Sequence, residues 1–150
     1  MLNISGKSAA QLLEAMERGE LTSRKLTMWY LERIASLDRN KLNSVLEISP
    51  DALFWADKMD MLRAKGEILG PLHGLPVLLK DNINTGDKLH TSAGSLALAD
   101  HYAPADSHIV TLLRKAGAII LGKTNMTEFA NFLSDNMPGW QCVETINVEE

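Results

Sequence analysis

Apolar residues recur at helical spacing through the first part of the chain and bunch into short unbroken runs beyond Gly74. Ser8 precedes AAQLLEAMERGE, and Gln11 three residues on completes a capping-box pattern, so a helix is predicted there with Gly19 marking its end. Thr22 or Ser23 caps a second helix, RKLTMWYLERIASLD, in which Leu26, Tyr30, Ile34 and Leu37 share one face. The segment NSVLEI, Asn43 to Ile48, alternates with period two and reads as a strand. Pro50 opens a third helix from Asp51 to about Lys65, since proline is tolerated in a first turn and Asp51 suits the positive end of the dipole. Gly66 and GPLHG break the chain into a loop.

The texture then changes. PVLLK, bounded by Pro76 and the polar pair Asp81–Asn82, reads as a buried strand. TSAGSLALAD is a turn entering a short helix. Asp106 caps a helix running through Lys115, with Gly117 in the position just past a C-terminus. AIIL reads as a second buried strand, and Asn125 or Thr127 starts a further helical turn, MTEFANFL. Helices followed by strand–helix–strand predict α/β layers around a largely buried sheet.

Composition narrows the class. The chain has 150 residues, 45% of them hydrophobic, enough for one ordinary domain or a piece of a larger one. A formal charge of −4 without a basic stripe sets nucleic acid and acidic membranes aside as main partners. Cys142 is the one cysteine, which excludes an intramolecular disulfide and a cysteine-rich zinc site and favours a reducing, cytoplasmic location. MLNISGKSAA has no apolar core of signal-peptide length, and no apolar run approaches the ~20 residues of a membrane span. His73, His90, His101 and His108 lack the close spacing of a metal site.

Two lysines follow apolar runs. GAIILGKT, Gly117 to Thr124, matches the phosphate-loop pattern G-x-x-x-x-G-K-[ST] letter for letter. A phosphate loop needs strand, curled loop and helix in that order, so that backbone N–H groups point at the phosphates. Here a patterned helix, SHIVTLLRKA, comes first, and β-branched isoleucines favour extended backbone over a tight curl. Helix stop, buried strand and strand end is the better reading, with nucleotide binding kept as a minor alternative. Lys80 comes straight off PVLL at a strand's carboxyl end, where chemistry gathers in α/β sheets. Desolvated by Val77, Leu79 and Ile83, its ammonium would lose its proton more readily and could activate a serine. By spacing alone, a lysine that lays its stem on the strand end and keeps its ammonium in water is the better reading.

Resemblance separates these readings. GPLHGLPVLLKDNINT (Gly70 to Thr85), TSAGSLAL (Thr91 to Leu98) and ADSHIVTLLRKAGAIILGKTNMTEFA (Ala105 to Ala130) together resemble the opening of the amidase signature family. That family includes fatty-acid amide hydrolase, plant and fungal amidases, and the A subunit of glutamyl-tRNA amidotransferase. The likeness spans about residues 8 to 140 and is strongest from Gly70 to Ala130. It implies an α/β fold, the N-terminal part of the amidase signature fold, with a mixed β-sheet flanked by helices and incomplete within this chain. It divides the chain into a mainly helical lead-in (1–69), a signature-like strand and helix region (70–130) and a divergent tail (131–150). It also implies hydrolysis of carboxylic amides by a Ser–cis-Ser–Lys triad, with Lys80 as the triad lysine, a small-molecule amide as substrate and no metal or organic cofactor.

Both triad serines belong, in the family, to a glycine- and serine-rich segment after GKTNMTEFA, and this chain ends before one. NFLSDNMPGW continues the likeness weakly, and QCVETINVEE has none of the expected glycines and serines. Ser92 and Ser95 fall in the T-[ST]-A-G-S turn and are read as structural, and Ser134 has no motif support. The expectation is therefore that the chain alone is inactive, and poorly stable or self-associating through unpaired strand edges. A truncated or frame-shifted product acting as a binding module is the alternative. His73 is expected to make a loop-ordering hydrogen bond. Lys123 is expected to hydrogen-bond or pair near its strand end. Trp29, Tyr30 and Trp55 are expected in helix contacts, and Met59 and Met61 carry no cofactor signal. The substrate-binding residues are not identifiable.

Overall fold

A computed structural model describes residues 3–130. Ser134, Cys142 and the divergent tail lie outside the described residues, so the expectations attached to them are not addressed by the fold.

Helix α1 (Ala9–Glu17) starts on the expected capping box: the Gln11 N–H donates to Ser8 Oγ at 3.3 Å and the Ser8 N–H donates to Gln11 Oε1 at 2.9 Å. Gly19 follows it in the left-handed region at φ 73°. Helix α2 (Ser23–Arg33) is capped by Thr22, whose Oγ1 accepts from the Lys25 N–H at 3.1 Å. Its first amides, Ser23 and Arg24, also donate to the Asp60 carboxylate at 2.7 and 3.0 Å, so a partner helix neutralises its N-terminus. The helix does not stop after Arg33. It widens into π turns over Ile34–Leu42 and ends at left-handed Asn43. Widening rotates the predicted face: Leu26 is fully buried, whereas Leu37 is exposed.

Strand β1 (Val45–Ile48) and helix α3 (Ala52–Ala64) follow, then β2 (Pro76–Lys80), α4 (His108–Lys115) and β3 (Ile119–Thr124). Asp51 precedes α3 without capping it through its side chain, its carboxylate lying 2.8 Å from Lys88 Nζ instead. Asp106 likewise does not cap α4. Ser107 occupies that position, and the Asp106 carboxylate accepts from the Gly86 N–H at 2.7 Å and from Arg114 Nε at 2.9 Å. Gly117 ends α4 as expected, at φ 86°.

The sheet is mixed. Its order is β1-β3-β2, with β3 antiparallel to β1 and parallel to β2. Ile119 and Ile120, adjacent in β3, face opposite layers. Ile119 packs with Ala56 and Met59 of α3, whereas Ile120 packs with Leu79, Leu89 and Val110 on the α4 side. A third cluster, Leu12, Ala15, Met16, Leu21, Leu26 and Leu75, joins α1 and α2 to the approach to β2. Of the aromatic residues expected at helix contacts, Tyr30 packs against this third cluster and Trp55 against the α3 cluster. Trp29 meets Tyr30 edge-on, their ring centroids 5.0 Å apart. Met59 is buried and Met61 exposed. The segment after β3 forms a short 3-10 turn, Glu128–Ala130, with Phe129 and Ala130 at positive φ, and residues 131–133 of the helical turn expected there lie outside the described residues.

Candidate active site at the ends of β2 and β3

Parallel strands β2 and β3 end side by side, with Lys80 opposite Thr124 and Leu79 opposite Lys123. Pleating assigns the two lysines different surroundings. Val77 and Leu79 both face the core cluster that Ile83 also joins, so Lys80 points to the other side of β2 and is exposed. The desolvation expected of Lys80 from those three residues is therefore absent among the described residues, where no hydrogen bond or ion pair holds its ammonium. Its carbonyl is tied down, accepting from the Ile83 N–H at 2.9 Å.

The desolvated lysine is Lys123. It shares the Leu79 face and is fully buried, and its Nζ donates to the Ile83 carbonyl at 2.6 Å and to Thr91 Oγ1 at 2.9 Å. Burial pulls its pKa below the usual lysine range, against the opposing attraction of Asp81, Asp87 and Glu47. The phosphate-loop pattern fails here on geometry. Gly117 stops a helix, and Gly122 lies mid-strand so close to β1 that a Cβ would sit 2.1 Å from the Glu47 carbonyl oxygen. The motif lysine is committed to two internal acceptors, and the segment offers no curled nest of N–H groups.

Asp81, next to Lys80, is fully buried and was not singled out by sequence reasoning. Its Oδ2 accepts from the Ser92 N–H at 3.2 Å, Ser92 Oγ at 2.5 Å and the Gly94 N–H at 3.3 Å. Its backbone N–H donates to the Thr124 carbonyl and its own carbonyl accepts from Ala93 N–H, at 3.2 and 3.3 Å. The turn it holds contains Ala93 and Gly94, both at positive φ. A Cβ on Gly94 would lie 2.6 Å from the Met126 carbonyl oxygen, so the turn sits directly on the chain leaving β3. Ser95 Oγ donates to Glu128 Oε1 at 2.6 Å. Both turn serines are buried and committed, in keeping with the structural role expected of them.

Beside this turn lies a cleft of about 290 Å³ lined by Leu46, Glu47, His90, Ser92, Ser95 and Ala99. Glu47 there accepts from the His90 N–H at 2.9 Å and sits 3.0 Å from His90 Nδ1. Neither residue carried a sequence signal, because the pairing joins β1 to a loop 43 positions away. His73 makes the loop-ordering bonds expected of it. The Leu69 N–H donates to Nδ1 at 3.2 Å, which leaves the proton on Nε2, donated to the Met59 carbonyl at 3.0 Å. Among the described residues no group of three or more His, Cys, Asp or Glu side chains is arranged to hold a metal ion.

Comparison with known proteins agrees with this architecture. The family model described as Amidase matches residues 25–144. A probable amidase of Arabidopsis thaliana is 46% identical over 131 residues, covering 85% of this chain and 25% of that protein. The A subunit of the glutamyl-tRNA(Gln) amidotransferase of Salinispora tropica is 44% identical over 131 residues, covering 87% of this chain and 26% of that one. The crystal structure of the peptide amidase from Stenotrophomonas maltophilia superposes with a TM-score of 0.83 at 49% identity, covering 89% of this chain and 27% of that chain. The chain thus spans about a fifth to a quarter of the length of the curated relatives it matches. The match to that family model over residues 25–144, on a mixed sheet layered by helices, makes this chain a member of the amidase family.

Proposed function

We propose that this chain is part of a hydrolase of carboxylic amides in which Lys80 is the proton-transfer lysine of a Ser–cis-Ser–Lys triad. The observation that carries the reading is the contrast between the two lysines. Lys80 stands at the carboxyl end of a parallel strand with its ammonium uncommitted, whereas Lys123 is spent on internal acceptors. The kinship with a peptide amidase and with part of an amidotransferase supports a small amide as the substrate class.

In the proposed cycle Lys80, as the free amine, takes a proton through a bridging serine on a cis peptide. The nucleophilic serine attacks the amide carbonyl, the relay returns the proton to the departing amine, and water cleaves the acyl-enzyme by the same route. Backbone N–H groups stabilise the oxyanion. One lysine serves both halves because it alternates between base and acid. Enclosure by the sequence that carries the serines would supply the desolvation the exposed ammonium now lacks. The cycle uses no metal or organic cofactor, and a cytoplasmic location belongs to the same reading.

Both serines belong to sequence outside these 150 residues, in the arrangement of a helical lead-in (1–69), a signature region (70–130) and a divergent tail (131–150). The chain by itself is then inactive, since triad members act as a unit. A fluorophosphonate serine-hydrolase probe tests this. The 150-residue chain is expected to stay unlabelled, while a protein extended by the family's glycine- and serine-rich segment labels stoichiometrically and loses amidase activity on Lys80→Ala. Stoichiometric labelling of the 150-residue chain, lost on Lys80→Ala, overturns the inactivity claim, and full activity of the extended Lys80→Ala protein overturns the triad role.

A second reading, a non-catalytic binding module, is favoured by one observation. Ile109 and Leu112 on α4 are about half exposed, at 50% and 46%, and β2 is an outer strand among the described residues. Such surfaces favour self-association. A compact monomer with a cooperative melt, measured by size exclusion and calorimetry, argues against it.

A further inference from the structure

Two buried charges of opposite sign grip the loop that connects the end of β2 to the Thr91–Ser95 turn. Asp81 lies at one end of this loop and is hydrogen-bonded to Ser92 and Gly94 at the other. Lys123 reaches across from β3 and takes hold of the loop near each end, at the Ile83 carbonyl and the Thr91 hydroxyl. Lys80 is the residue just before this gripped loop, and its own carbonyl accepts from Ile83 N–H. Removing the carboxylate frees two N–H groups and a hydroxyl and leaves only the Ala93 N–H bond to the Asp81 carbonyl between the two, and removing the ammonium frees a carbonyl and a hydroxyl.

We propose that Asp81 and Lys123 are positioning residues for Lys80: the carboxylate fastens the Thr91–Ser95 turn to the end of β2, and the ammonium fastens the same loop to β3. Between them they hold the strand end that bears Lys80 in one place. The inference rests on the reading of Lys80 as the proton-transfer lysine.

A fold needs neither charge for this. Thr, Ser and backbone groups close most loops in proteins without a buried ion, and burying one carries a solvation cost. Here both ions are buried at the strand ends beside Lys80. That distribution fits a site in which the mounting of Lys80 is made stiff. Long side chains reach a reacting atom only if their Cα is fixed, and a misplacement of about 1 Å costs about 100-fold in rate.

The experiment uses the full-length amidase, with activity on a small primary amide followed at saturating and limiting concentrations. Asp81→Asn, Ser92→Ala and Lys123→Met are compared with Lys80→Ala. The milder Ser92→Ala removes one hydroxyl donor to Asp81 and is kept in case Asp81→Asn does not fold. The expected result is a fall in kcat of about 10- to 100-fold for Asp81→Asn and Lys123→Met, with KM within about twofold. A smaller fall in the same sense is expected for Ser92→Ala. Amide hydrogen exchange within residues 81–95 should rise in all three, while Lys80→Ala leaves it unchanged. Lys123→Arg, which keeps the cation and its donors, should recover a substantial part of the Lys123→Met loss. Unchanged kcat in folded Ser92→Ala and Lys123→Met overturns the proposal, as does a loss confined to melting temperature. If Lys80→Ala retains full activity, the triad reading fails on its own control, whatever the other variants do.

Discussion

The Asp81 carboxylate accepts both the N–H and the O–H of Ser92, at 3.2 and 2.5 Å, across 11 positions of chain. This single pairing joins a strand end to a turn with two residues at positive φ. It also ties the Ser92 hydroxyl to a buried carboxylate within the turn, as a structural role requires. Ser95, donating to Glu128, is tied in a similar way.

Neither serine should therefore react with an activated phosphonate. Peptide mass spectrometry after fluorophosphonate treatment is expected to find Ser92 and Ser95 unmodified. Modification at either residue in the folded protein would contradict the assignment.

Asp38 is buried in the π turns and accepts from the Ser44 and Val45 N–H groups at 2.8 and 3.0 Å, with the Ser44 hydroxyl as a third donor. Asp38→Ala strands these donors at the entry to β1. A loss of about 2–3 kcal/mol in unfolding free energy is expected from urea titration, since hydrogen bonds to a charged acceptor are worth more than neutral ones.

His73 predicts an acid-sensitive fold. Burial pulls its pKa below 6.5, and its neutral tautomer satisfies both the Leu69 N–H and the Met59 carbonyl. The unfolded chain therefore binds the proton more readily than the folded one. Its contribution is complete above the unfolded pKa of about 6.5 and is lost as pH falls from there through the lower folded value. Unfolding measured between about pH 7.5 and about pH 5 should show a steeper decline for the parent than for His73→Phe. Parallel declines would place the acid sensitivity elsewhere.

Gly122→Ala should detach β1. The added methyl would meet the Glu47 carbonyl oxygen at 2.1 Å, and a backbone atom cannot swing away as a side-chain tip can. A destabilisation of about 3 kcal/mol or more is expected, near the upper end for overpacking, with early exchange of the Val45–Ile48 amides.

Magnesium and ATP should leave the melting temperature unchanged within about 1 °C, because a ligand stabilises only by binding the folded state. Lys123 is sealed in β3 and has no phosphate cradle around it. A saturable rise with nucleotide concentration would revive the nucleotide-binding alternative.

Much of the architecture is legible one segment at a time. The Ser8–Gln11 box, the Thr22 cap and the Gly117 stop are settled within four or five residues, by backbone sterics and the donors a helix end leaves open. The apolar runs locate β2 and β3, and the three signature segments in order identify the family. Which lysine is buried is not legible in this way. Lys80 and Lys123 each follow a short apolar run, and only pairing tells them apart. The parallel register sets Lys123 beside Leu79 on the core face and leaves Lys80 on the other. A bulge at Leu121 shifts that register by one residue, and with period-two strands a one-residue shift exchanges the faces.

The Asp81–Ser92 and Glu47–His90 contacts join segments whose separation in sequence carries no spacing rule. Local chemistry determined the first two helix starts, the stop at Gly117, the places of the strands and the family by itself. The tertiary structure decided which polar groups are taken out of water and what they hold, because burial and pairing belong to the packed layers and not to any one stretch of chain.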